Sequence, residues 1–175
     1  LIGLVILFDL WNIDMNYVNE DNFSRPSAVK TPFTANGIDE EIMKDKSSFR
    51  IYEPYRGFVN GRSSYFHNSI SGYHAAKPKR MQDIYDFYLS KNKFNVLNML
   101  NVKYIIDLNE NNSLGFILNK ENLGNVWFIE NIINVNNSNE EILSLNDLNY
   151  SKDCLSKDLP NKKFTLSEGD DIVLN

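Results

Sequence analysis

Val102-Lys103-Tyr104-Ile105-Ile106-Asp107-Leu108 is the stretch that decides how this chain folds. β-Branched and aromatic residues fill it, no Gly or Pro interrupts it, and apolar side chains fall on both of its faces. That pattern predicts a buried central strand. Such a strand needs cover, and the residues before it supply two helices. Lys79 to Ser90 sets Met81, Ile84, Tyr85 and Tyr88 at the spacing of one helical face. A shorter helix follows, with Phe94, Leu97 and Leu100 toward the core.

Further back, Phe49-Arg50-Ile51-Tyr52 reads as a short strand closed by Pro54. Before it, Asn36 to Met43 reads as a helix ending by about Lys46, with acids in the first turn, where the helix dipole favours them. Asn12 to Thr34 is polar and broken by Pro26 and Pro32, which predicts irregular chain. Forward of the central strand, Asn109 to Ser113 is a turn and Phe116-Ile117-Leu118 a short strand. Gly124-Asn125 is turn chemistry, and Val126 to Ile133 is expected as one long strand with Trp127 in the core. Ser138-Asn139-Glu140-Glu141 has the form of a capping box opening a helix through Ile142, Leu143 and Leu145. From Asn146 the chain is polar, apart from Phe164-Thr165-Leu166 and Ile172-Val173-Leu174. Strands and helices mix without βαβ repetition, so the expected class is α/β or α+β, a small mixed sheet covered by helices.

The totals suit one folded domain, with 175 residues, 42% of them apolar and 13% aromatic. A net charge of −5 argues against nucleic-acid binding, because no basic face dominates. Cys154 is the single cysteine, which excludes an internal disulfide and a thiolate metal site. Two histidines without His-x-x-x-His spacing point to no metal site, and no phosphate loop, dinucleotide fingerprint or nucleophile elbow is present, so no cofactor is expected.

Chemistry concentrates between Ser63 and Asp83. This stretch holds both histidines, His67 and His74, the tyrosines Tyr65 and Tyr73, and the cations Lys77, Lys79 and Arg80. Imidazole exchanges protons near neutrality, cations hold phosphate or carboxylate, and aromatic faces stack on sugar rings. Pro78 leads into the helix, so the cations stand near a helix N-terminus, which also favours an anion. Tyr65, His67, Tyr73, His74, Lys77 and Arg80 are therefore the candidate ligand-binding residues. Asp83 and Asp86 read as solvated helix-surface acids, and no catalytic residue is assigned.

Leu1-Ile2-Gly3-Leu4-Val5-Ile6-Leu7-Phe8 is too short to span a bilayer and lacks the basic start of a signal peptide. It reads either as a buried strand or core helix, or as the last turns of a membrane helix with Trp11 at the interface. The non-Met start and the strand-like last residues read as cuts within a longer protein.

In order along the chain, several pieces resemble the extracytoplasmic region of the YfhO family of bacterial multi-spanning membrane proteins. They are Phe8-Asp9-Leu10, Phe49-Arg50-Ile51-Tyr52, Ser64-Tyr65-Phe66-His67, Ser69 to Lys77, Val96 to Ile106, and Asn122 to Phe128. Gly72-Tyr73-His74-Ala75-Ala76-Lys77 and Leu97-Asn98-Met99-Leu100-Asn101-Val102-Lys103-Tyr104-Ile105-Ile106 are the specific blocks, and beyond Tyr150 little matches. The family is similar to glycosyltransferases that take sugars from lipid carriers. The resemblance implies a membrane exit over residues 1–13, an extracytoplasmic α/β domain over 14–150 and a polar tail over 151–175. It implies location on the outer side of the bacterial cytoplasmic membrane, a polyprenyl-phosphate sugar and a cell-envelope polymer as partners, and a catalytic carboxylate outside this segment. A non-catalytic binding domain of a membrane protein is the competing expectation. A free-standing cytoplasmic α/β protein, with Leu1 to Phe8 as a core strand, is a third.

Overall fold

The computed structural model describes residues 2–163. The chain divides between Thr34 and Ala35 into two compact units. The first holds helix α1 (Ile2–Tyr17) and the short helix α2 (Pro26–Lys30), with single 3-10 turns at Glu20–Asn22 and Thr31–Phe33. Helix therefore continues past Asn12, where irregular chain was expected. Asn12 and Asn16 donate their side-chain amides back to the Phe8 and Asn12 carbonyls, at 2.8 and 3.2 Å, and so stay inside the helix. α1 has 16 residues and no buried side chain. At about 1.5 Å per residue it reaches about 24 Å. Among the described residues no helix is long and apolar enough to cross a membrane.

The second unit is built on two three-stranded sheets. In the first, β1 (Arg50–Tyr52) pairs parallel with β2 (Val102–Leu108), and β2 pairs antiparallel with β3 (Leu114–Leu118). β2 is central, as its composition predicts, and contributes to two cores, with a register shift between its Arg50 and Ile51 pairings. Val102 and Ile105 join Tyr52, Phe58, Ile84, Tyr88, Leu89, Val96 and Leu97. Tyr104 and Ile106 join Ile38, Ile42, Phe49 and Ile51. Helix α3 (Gly37–Ile42) serves the second core; a 3-10 turn (Phe94–Leu97) and a helix at Lys79–Phe87 serve the first. Both covering segments anticipated before β2 thus lie on one face. The second of them is a 3-10 turn rather than an α-helix, and Asn101 takes the left-handed conformation (φ 55°) just before β2.

Between β1 and β2 the chain also forms helix α4 (Arg62–Phe66), so the helix at Lys79–Phe87 is α5. After β3, only Asn131–Asn134 of the anticipated long strand forms a ladder, as β4. Val126 and Phe128 are exposed while Trp127 is half-buried, donating from Nε1 to the Tyr150 carbonyl at 3.0 Å. In–out alternation is present there, but the backbone has no strand beside it. Helix α6 (Ser138–Ser144) is capped one residue earlier than read. Asn137 Oδ1 accepts from Glu140 N–H at 2.9 Å, and the Glu140 carboxylate accepts from Asn136 N–H at 2.8 Å, which holds that carboxyl below its usual range. Ser138 instead accepts from Lys157 Nζ at 2.6 Å.

Part of the segment read as a polar tail, Asp153 to Lys163, belongs to a second sheet. β5 (Asp153–Ser156) pairs parallel with β4, and β6 (Lys162–Lys163) pairs antiparallel with β4 on its other side. Phe164-Thr165-Leu166 and Ile172-Val173-Leu174 lie outside the described residues.

Candidate functional site

α4, the loop to α5 and the first turn of α5 carry the six candidate residues, and the fold distributes them over three places. Tyr73, His74 and Lys77 come together. They line a cleft of about 300 Å³ with Phe58, Ser71 and Gly72. Gly72 makes the turn at φ 148°, where a side chain is strained and a Cβ would stand 3.1 Å from Ser64 Oγ. Gly72 N–H donates to the Phe58 carbonyl at 3.0 Å, which ties this loop to the core. Tyr73 is 81% exposed at the mouth. His74 Nδ1 accepts from Ala76 N–H at 3.1 Å, leaving Nε2 as its outward nitrogen.

Lys77 is the unusual residue. Its Nζ is buried and has no hydrogen-bond partner among the described residues. It rests 3.9 Å from the centre of the Phe58 ring, which stacks at 4.5 Å on Tyr85. A cation over a ring gains about 0.5–2 kcal/mol, whereas burying an ammonium costs several kcal/mol. The ring therefore leaves part of the cost uncovered, and an anion would remove it. Ser71 Oγ lies in the same wall and is likewise buried without a partner, in a residue 6% exposed. No carboxylate lines this cleft, and the N-terminus of α5 begins just behind Pro78. An ammonium, a hydroxyl and a helix dipole suit a small anionic group.

Arg80 is not part of this arrangement. Its guanidinium donates to Glu141 Oε2 at 3.1 Å, and it lines a separate, mainly apolar cleft of about 560 Å³ walled by Ile84, Trp127, Ile142 and Leu155. Arg80 thus reaches from α5 to Glu141 on α6. Cys154, a free half-buried thiol, lines the same cleft.

Tyr65 and His67 stand in a third place. Tyr65 is exposed and packs edge-on against Phe66 at 4.9 Å. The His67 side chain is 4% exposed, with Nε2 3.1 Å from Asp39 Oδ1. Asp39 also receives Arg62 Nη2 at 2.6 Å and Nη1 at 3.4 Å, and Asn36 N–H at 2.9 Å. Beside this set, buried Glu53 accepts from Arg56 Nε at 2.9 Å and from Ser63 Oγ. Burial pushes the Asp39 carboxyl up, but Arg62, Asn36 N–H and His67 outweigh it and hold it below the usual range.

Asp39, Glu53, Arg62 and Ser71 are absent from the candidate residues read in the sequence. The only local signal for Asp39 was its place in the first turn of α3, where it closes a capping box with Asn36. Among the described residues no group of His, Cys, Asp and Glu is placed to hold a metal ion. Comparison with known proteins adds no relative. No family model, curated protein or solved structure matches this chain.

Proposed function

We propose that this chain is the extracytoplasmic segment of a membrane glycosyltransferase-like protein of the YfhO type, and that the Lys77 cleft holds the phosphate of a polyprenyl-phosphate sugar. The protein would transfer that sugar to a cell-envelope polymer. The observation that carries the reading is the buried, unpaired Lys77 Nζ beside the equally unpaired Ser71 Oγ. Tyr73 at the mouth offers its ring to the sugar, and His74 Nε2 offers a hydrogen bond. The motif order around Gly72-Tyr73-His74-Ala75-Ala76-Lys77 and the exposed apolar side chains of α1 support the membrane setting.

The cleft's lack of a carboxylate favours one alternative, a non-catalytic domain that binds an anionic polymer at the same place. The two readings part on whether sugar is transferred.

Lys77→Met keeps the stem over Phe58 and removes the charge. In the full-length protein in membranes, it is expected to reduce sugar transfer at least 100-fold. In the isolated segment it should raise stability by about 1 kcal/mol, because a buried uncompensated charge is gone. Arg80→Ala should leave transfer within about twofold, since that side chain faces Glu141. Undiminished transfer by a well-expressed Lys77→Met protein would overturn the phosphate reading.

A further inference from the structure

His67 has one ring nitrogen in use and one to spare. Nε2 faces the Asp39 carboxylate and donates to it, which leaves Nδ1 as the ring nitrogen on the other side. The side chain is 4% exposed, and its hydrogen bond is the one to Asp39. The ring forms part of the wall between two adjoining clefts that share Phe49, Ser64 and Asn68. The larger, of about 480 Å³, is completed by Ser48, Arg50, Ser69, Asn101 and Asn125.

This wall is almost entirely amide and hydroxyl. Asn101 fixes its back. Asn101 Nδ2 donates to the Ser48 carbonyl at 3.1 Å and to Asn125 Oδ1 at 2.7 Å, while its own Oδ1 accepts from Asn122 at 2.9 Å. With Oδ1 occupied, Asn125 has its amide N–H groups left over. The Asn68 side chain and the Ser48 hydroxyl also have no protein partner among the described residues. Phe49 supplies an aromatic ring, held edge-on to Tyr104 at 5.0 Å. The one charge, Arg50, leans on the Leu100 carbonyl at 3.5 Å, and no carboxylate lines the cleft.

We propose that this cleft binds a neutral polyhydroxylated ligand, a sugar ring or short glycan, with His67 Nδ1 accepting a hydrogen bond from one of its hydroxyls. Vicinal hydroxyls each donate and accept, and clustered amides with a lone imidazole acceptor answer both needs. A small anion finds a better seat in the Lys77 cleft, which this one meets only at Ser64. The inference is therefore independent of the phosphate reading.

The test is titration of the segment with glucose, galactose, N-acetylglucosamine and a neutral β-linked tetrasaccharide, observed through imidazole ¹⁵N resonances. The expected result is an unprotonated Nδ1 on His67 whose resonance moves with at least one of these sugars. His67→Gln offers an amide at the position of Nε2 and nothing at that of Nδ1. It should keep the contact to Asp39 and the thermal midpoint while sugar affinity falls at least tenfold. Asn68→Ala, an exposed change that leaves the fold intact, should weaken the same sugar about fivefold even if His67→Gln does not fold. Arg80→Ala, outside both clefts, should leave neutral-sugar binding unchanged, and the Lys77 reading is judged by its own transfer assay, so that failure of either site is read separately. No resonance shift with any of the four sugars, or full affinity in Asn68→Ala and a folded His67→Gln, would overturn the proposal.

Discussion

Asp39 is 1% exposed and holds two cationic or protonatable partners and a backbone N–H, drawn from α3, α4 and the residue after α4. Removing it takes the 2.6 Å ion pair from Arg62, itself 14% exposed. Asp39→Ala should cost about 3–5 kcal/mol, the range for breaking one partner out of a buried pair. The sign of the pH effect follows from its lowered pKa. The unfolded carboxyl titrates near about 3.9. Its stabilisation is complete above that value and is lost as pH falls through the lower folded pKa. Urea midpoints measured between about pH 5 and 2 should decline in the native chain, and Asp39→Asn should flatten the part due to this group. A slope unchanged by Asp39→Asn would remove Asp39 from the account. None of this was legible locally. Residue 39 reads as one more first-turn acid, and nothing in the spacing announces that residues 62 and 67 will close on it.

Elements were legible where periodicity and neighbours agreed. β2 and α5 form where their patterns place them, because Val102, Ile84 and Tyr88 find each other across one core. Val126 to Ile129 keeps the alternation of a strand yet forms none, since alternation predicts a buried face and not a hydrogen-bonding neighbour. β5 was missed for the converse reason. Asp153-Cys154-Leu155-Ser156 is a weak pattern, rescued by its ladder with β4. The loop before α5 stands out in the sequence by its composition, and its shape depends on Gly72. Gly72→Ala forces a side chain at φ 148° and 3.1 Å from Ser64 Oγ, which accounts for a loss of about 1–3 kcal/mol. It should also disturb the 2.9 Å bond from Ser64 Oγ to the Ser71 carbonyl. Denaturant unfolding would register the loss, and a stability equal to the native chain would show that the loop relaxes freely.

At the scale of the whole second unit, two sheets of like arrangement differ in how well they are covered. In the first, β1 and β2 pack on both faces; the second has β4 and β5 half-buried at most, and β6 contributes only two exposed residues. Amide hydrogen exchange should therefore be slowest in β2 and fastest, among strand amides, in β6. The first sheet's core carries the stability. Leu97, fully buried beneath β2, should cost about 2–5 kcal/mol when changed to Ala. Equal protection of both sheets would contradict this division. The α/β class follows from composition and pattern, while the second sheet did not, because its strands are short and polar.

β1 and β2 are adjacent and parallel, yet residues 53–101 run between them, and that excursion contains the whole of the Ser63 to Asp83 stretch. Ile51 also bridges Ser69 within it. Closing such a span is entropically slow, because its contacts are rewarded only after distant strands meet. The clefts around Lys77 and His67 thus depend on this long-range pairing and not on local sequence alone. A synthetic peptide of residues 63–83 would bind nothing, and any true ligand would report itself by slowing the rate at which this chain unfolds.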